Sequence, residues 1–178
     1  MSLPHLSLQV LLALLAALAA VSDLRTRTIP NWLTGGGFAA AVALQALSGG
    51  LEGLLAAAKG FGVAMAIYLP LNLLRAMGGG DLKLMAALGA AAGPGNWVAI
   101  FLLTSLLGLP IALVTVLVSG RLGKTVRNIG RILWQLVRFR LPHEADPELD
   151  VHHPRSFGLP HGAVIALGVA AFLALARV

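Results

Sequence analysis

Leu74-Arg75-Ala76-Met77-Gly78-Gly79-Gly80-Asp81-Leu82-Lys83-Leu84 is a charged, glycine-rich turn between two apolar runs. The run before it, Leu51–Leu74, is long enough to cross a bilayer as a helix. The run after it, Leu82–Gly93, is short: Leu82–Ala92 would rise only about 17 Å, against about 30 Å of hydrocarbon. Whether that short run crosses decides the fold. The other candidate spans are Pro4–Val21, Trp32–Leu47, Trp97–Val118 and Gly158–Ala176. With six crossings, Arg25, Arg27, Arg75, Lys83 and the seven basic residues between spans five and six share one side. Those are eleven of the thirteen Lys and Arg. Cytoplasmic connections collect Lys and Arg, so this side is the cytoplasm and both termini lie outside. Without the fourth crossing, the seven-charge segment would face outward. The expected fold is therefore an all-α membrane protein, a polytopic bundle of about six transmembrane helices. Its fourth helix should be short and sheltered by its neighbours.

Composition agrees. Hydrophobic residues make up 58% of the 178 and charged residues 11%, where a soluble chain carries about 25% charged. A water-soluble chain this short cannot hide so much apolar surface. An ordinary cytosolic globule, a disordered chain and a nucleic-acid-binding domain are excluded, despite the net charge of +6. There is no cysteine, hence no disulfide, cysteine nucleophile or Cys-ligated metal centre. Ala17-Leu18-Ala19 has the look of a signal-peptidase site. No Lys or Arg precedes its apolar run, as a signal peptide requires, so the first span is expected to stay. Residues 1–178 read as a single integral-membrane domain with a basic amphipathic cytoplasmic segment, 119–157.

Within that segment Arg121–Leu141 reads as an amphipathic helix. Leu122, Val126, Ile129, Leu133 and Leu136 recur at helical steps among six basic residues and no acid. Such a helix can lie on the cytoplasmic leaflet against anionic lipid, or it can serve only as a topology signal. Pro142 ends it. The loop His143–His153 mixes acids and histidines but lacks the spacing of a metal site, and reads as a solvated loop.

Acids near membrane helices are costly and are functional candidates by default. Asp23 ends the first span and Asp81 opens the fourth. Spans two and three run out and back between them, so both carboxylates return to the cytoplasmic boundary. Two close carboxylates can share a proton: one activates water while the other donates to a carbonyl oxygen. That chemistry needs no metal or cofactor. Each acid also has a plainer reading. Asp81 stands where a helix N-cap belongs, and Asp is among the best caps. Asp23 can be a solvated loop residue paired with Arg25 or Arg27.

Gly78-Gly79-Gly80-Asp81-Leu82-Lys83-Leu84 resembles the Gly-x-Gly-Asp-x-Lys-Leu signature of type IV prepilin peptidases, and Met85-Ala86-Ala87-Leu88-Gly89 continues it. Asp23 followed by Ile29-Pro30-Asn31 resembles that family's first motif. Pro160-His161-Gly162 is similar to its C-terminal Pro-aromatic-Gly, with His for the aromatic. The resemblance implies a membrane aspartyl endopeptidase of the cell (cytoplasmic) membrane, its active site facing the cytoplasm. It would cut a short basic leader, ending in Gly, from a pilin-like precursor just before that protein's apolar helix. It implies Asp23 and Asp81 as the catalytic pair, with Lys83, Pro30, Asn31, Gly78 and Gly80 in supporting positions. Lys83 would favour a carboxylate near it, Pro30 and Asn31 would form a turn and helix start, and the glycines would let backbone approach closely. The chain resembles the short forms found in tight-adherence pilus systems and among archaeal preflagellin peptidases. Without the paired Cys-x-x-Cys of long members, their methyltransferase activity does not carry over. Two other readings compete: a small proton- or cation-coupled transporter using the same acids, and a non-catalytic assembly protein of a pilus or secretion machine.

Overall fold

The computed structural model describes residues 4–75, 77–120, 122–138 and 160–176. These are helical nearly throughout, with no strand among the described residues. The elements are α1 (Leu6–Thr26), α2 (Asn31–Leu73), α3 (Gly79–Val118), α4 (Leu122–Val137) and α5 (His161–Leu175). The first three are long and apolar enough to cross a membrane.

Two glycines interrupt the long helices. Gly50 (φ 55°, ψ −131°) breaks α2 and Gly93 (φ 74°, ψ 170°) breaks α3. Other residues rarely adopt either conformation. Each break reverses the chain. Phe38 and Phe61 have ring centroids 5.2 Å apart, and the missing side chain of Gly53 admits the Gln45 carbonyl. The two pairs straddle Gly50, the outer one enclosing the inner, so 31–49 and 51–73 form an antiparallel hairpin. Likewise Trp97 Nε1–H donates to the Met85 carbonyl at 2.9 Å. Those residues would be about 18 Å apart along one straight helix. Among the described residues the helices thus divide into six apolar segments: 6–26, 31–49, 51–73, 79–92, 94–118 and 161–175.

Segment 79–92 is the shortest, at about 21 Å, and residues 84–93 are all buried. The sequence led us to expect such a short, sheltered segment. Small residues make the shelter possible. Gly60 and Gly89 sit face to face, with each backbone in the space of the other's absent side chain. Membrane helices associate in this way, by close backbone approach rather than by hydrophobic drive. Where the segment ends at Gly93, the last carbonyls lose their helical partners. Gln45, a polar residue inside an apolar run, supplies one: its Nε2 donates to Ala91 O at 3.1 Å and reaches Ala90 O at 3.4 Å. An aromatic cluster of Tyr68, Trp97 and Phe101 fills the core beside it.

Segment 94–118 runs antiparallel to α5, since Thr104 packs on Gly168 and Val164 on Gly108. α1 packs on α5 and, through Leu15 and Gly37, on α2. The outside is apolar: Leu6, Leu14, Leu18, Leu102, Leu106 and Leu117 are all exposed. A soluble monomer does not show so much contiguous apolar surface. This is a membrane protein.

Candidate active site

The ends of α1 and the starts of α2, α3 and α5 meet at one end of the bundle. α1 closes with a tethered turn. Ser22 Oγ donates to the Thr28 carbonyl at 2.7 Å, and Thr26 Oγ1 donates to the Ser22 carbonyl at 2.9 Å. Arg27, left-handed at φ 55°, ends the helix by donating its N–H to the Asp23 carbonyl. Pro30 is the N-cap of α2 and Asn31 its first residue, the turn and helix start expected of them.

Asp23 lies inside the last turn of α1 and is only 8% exposed, so it is not a solvated loop residue. Its Oδ2 accepts a 2.8 Å hydrogen bond from the Gly162 backbone N–H. Gly162 is the second residue of α5. The sequence shows Asp23 only at the negative end of α1. The fold adds the positive end of α5, which favours an anion there. Glycine is needed for this approach: a Cβ at 162 would lie 3.0 Å from Asp23 Cβ and 3.1 Å from Oδ2.

Asp81 is not the N-cap of α3. Gly78 takes that place without a side-chain cap, and the helix begins at Gly79, so Asp81 is its third residue. The carboxylate is within electrostatic range of Asp23, of His161 and of the Tyr68 phenol. The two acids, 58 residues apart in sequence, therefore share one half-buried site with an imidazole.

Lys83 behaves differently from the expectation that it supports a carboxylate. Two residues beyond Asp81, it points to another side of the helix, where its Nζ donates to Asn31 Oδ1 at 2.8 Å. His161 is a basic group within electrostatic range of Asp81. Gly80 joins the same pair of segments, because a Cβ there would press to 3.2 Å on Ile29. Gly78 is less constrained: a Cβ would meet Asp81 Oδ2 at an ordinary 3.4 Å. The supporting residues thus fasten the start of α2 to the start of α3. The roles of Gly162, Tyr68 and Gln45 had no sequence signal beyond the Pro160-His161-Gly162 motif, which does not announce a backbone donor.

A cavity of about 480 Å³ opens beside the Lys83–Asn31 bond, lined by Phe38, Phe61, Met65, Leu82, Ala86 and neighbours. Its α3 residues lie on the opposite side of that helix from Asp81, so it is separate from the paired acids. The loop His143–His153, Pro142 and the end of the basic segment lie outside the described residues.

No curated protein and no solved structure matches the chain significantly. The model of the type IV leader peptidase family matches residues 10–113. The match covers more than half of the chain and includes Asp23, Asn31, Asp81 and Lys83 with the helices that position them. The chain belongs to the type IV leader peptidase family.

Proposed function

We propose that this protein is a prepilin-type leader peptidase in which Asp23 and Asp81 hydrolyse the bond between a basic leader and the apolar helix of a pilin-like precursor. The observation that carries this reading is the convergence of Asp23, Asp81 and His161 at one end of an apolar bundle. One carboxylate takes a proton from water, and the hydroxide attacks the scissile carbonyl carbon. The other carboxyl, protonated, donates to the carbonyl oxygen. Collapse of the tetrahedral intermediate breaks the C–N bond: the leaving amine takes the proton that the first carboxylate drew from water, and the second carboxyl recovers its own. The Gly162 N–H fixes Asp23 throughout.

The same end of the bundle carries Arg25, Arg27, Arg75 and Lys83, which supports a cytoplasmic orientation. A precursor's basic leader would stay on that side while its helix lies in the bilayer. Acids at a bundle end also argue against a transporter, whose binding site belongs near the midplane.

Co-expression with epitope-tagged precursors tests the reading. A precursor with a basic leader ending in Gly should shift to the mobility of the mature protein, and replacing that Gly with a bulky residue should slow the shift. Failure to process any of several cognate precursors would refute it. Orientation is tested by reporter fusions. Fusions after Asn31, Ala76 and Arg140 should report cytoplasm, and those after Gly49 and Gly95 the outside. An external signal at Arg140 would remove segment 79–92 as a crossing.

A further inference from the structure

The hydrolytic chemistry leaves α4 unused. It follows α3 across Ser119 and Gly120, the latter at φ 66°. At 100° per residue, Leu122, Val126 and Ile129 share one side of the helix and Arg127 and Arg131 the opposite one. Arg138, just past the last turn, continues the basic line. α4 touches α3, yet Leu122, Val126 and Ile129 remain 44%, 61% and 52% exposed. No acid occurs from Leu82 to His143, so every charged residue of α4 itself is basic.

Trp134 stands at the border between the two sides and is 57% exposed. The Arg138 guanidinium lies 4.3 Å from its ring centroid, a cation–π distance. An indole between an apolar and a basic face suits the headgroup level of a membrane, where tryptophan concentrates. The surroundings are continuous with this. Leu113, Leu117 and Val118, on the last turns of α3, are exposed too, so the apolar line of α4 extends the apolar exterior of the bundle.

We propose that α4 lies in the membrane plane and binds anionic phospholipid headgroups through Arg127, Arg131 and Arg138, with Trp134 at the headgroup level and Leu122, Val126 and Ile129 immersed below. Charge selects the occupant. A neutral bilayer would satisfy the apolar line alone, whereas the basic line calls for phosphates in excess of zwitterionic pairs. Each basic residue near an anionic surface strengthens association roughly fivefold, so three together are worth on the order of 100-fold.

The test uses the full chain in vesicles and reads the tryptophan signal lost in Trp134→Phe, which isolates Trp134 from Trp32 and Trp97. Brominated phosphatidylglycerol, at a fixed fraction in phosphatidylcholine, should quench that signal several-fold more than the same fraction of brominated phosphatidylcholine. High salt should erase the preference, and so should the triple variant Arg127→Gln, Arg131→Gln, Arg138→Gln. Equal quenching by the two lipids in the wild type overturns the anionic selectivity. Absence of quenching by either, with α4 cross-linking to a second copy, overturns membrane binding in favour of a protein contact. The proposal stands apart from the peptidase reading: Asp81→Asn should leave the quenching preference unchanged.

Discussion

Asp81→Asn should yield a folded membrane protein that no longer releases mature pilin from its precursor, with cleavage reduced by roughly 10²–10⁴-fold. An amide neither accepts the proton of the attacking water nor supplies one to the carbonyl. Capping gives the opposite expectation, since Asn caps a helix about as well as Asp. The structure sharpens the contrast. Gly78 holds the N-cap position of α3, so even Asp81→Ala should lose none of the roughly 1 kcal/mol that a cap contributes. Asp23→Asn is the matched experiment. Its amide oxygen can still accept the Gly162 N–H, the bond that seats the side chain. A folded, inactive Asp23→Asn therefore assigns the loss to chemistry. Processing of tagged precursor, read alongside elution of the purified variant as a single species in detergent, separates the outcomes. Wild-type cleavage by either variant would end the dyad mechanism.

The second large effect is on stability. Gly60→Ala should destabilise the bundle by about 1–3 kcal/mol, the usual cost of overpacking a tight core. Its new methyl would collide with the Gly89 carbonyl, and backbone does not swing aside as a side chain can. Gly62→Ala is the control two residues along the same segment. Nothing lies within 4 Å of its would-be Cβ, and alanine is the better helix former. Thermal unfolding in detergent should rank Gly62→Ala at or above wild type and Gly60→Ala well below. Equal midpoints would mean that segments 51–73 and 79–92 do not approach as closely as described.

The segments were legible because their signals are local. Runs such as Trp97–Val118 are too long and apolar to be anything but helix, and the glycines at 50 and 93 stand where the hydropathy pattern calls for reversals. The placing of Asp23 and Asp81 at one end of the bundle was legible from topology: an even number of crossings returns the second acid to the end that holds the first. Local rules also misled. Asp81 reads as a helix start because Asp caps well and glycines propagate helix poorly, yet α3 begins two residues earlier, at Gly79. The bonds that hold the site were beyond sequence reasoning. Gly162 to Asp23 spans 139 residues and Lys83 to Asn31 spans 52. A backbone N–H carries no residue-type signal, and a lysine two positions from an aspartate reads as its partner until the helix turns it away.

The hydrogen bond from Gly162 to Asp23 also bears on biosynthesis. α5 leaves the ribosome after the helices that carry both acids. While it is still being made, the earlier helices can already occupy the membrane, with both acids present but Asp23 lacking its donor and Asp81 its neighbouring imidazole. The proposed catalyst is therefore assembled only when α5 arrives. A nascent chain, or one terminated before α5, would hold the two carboxylates without the geometry to use them, and hydrolytic competence would arrive together with α5.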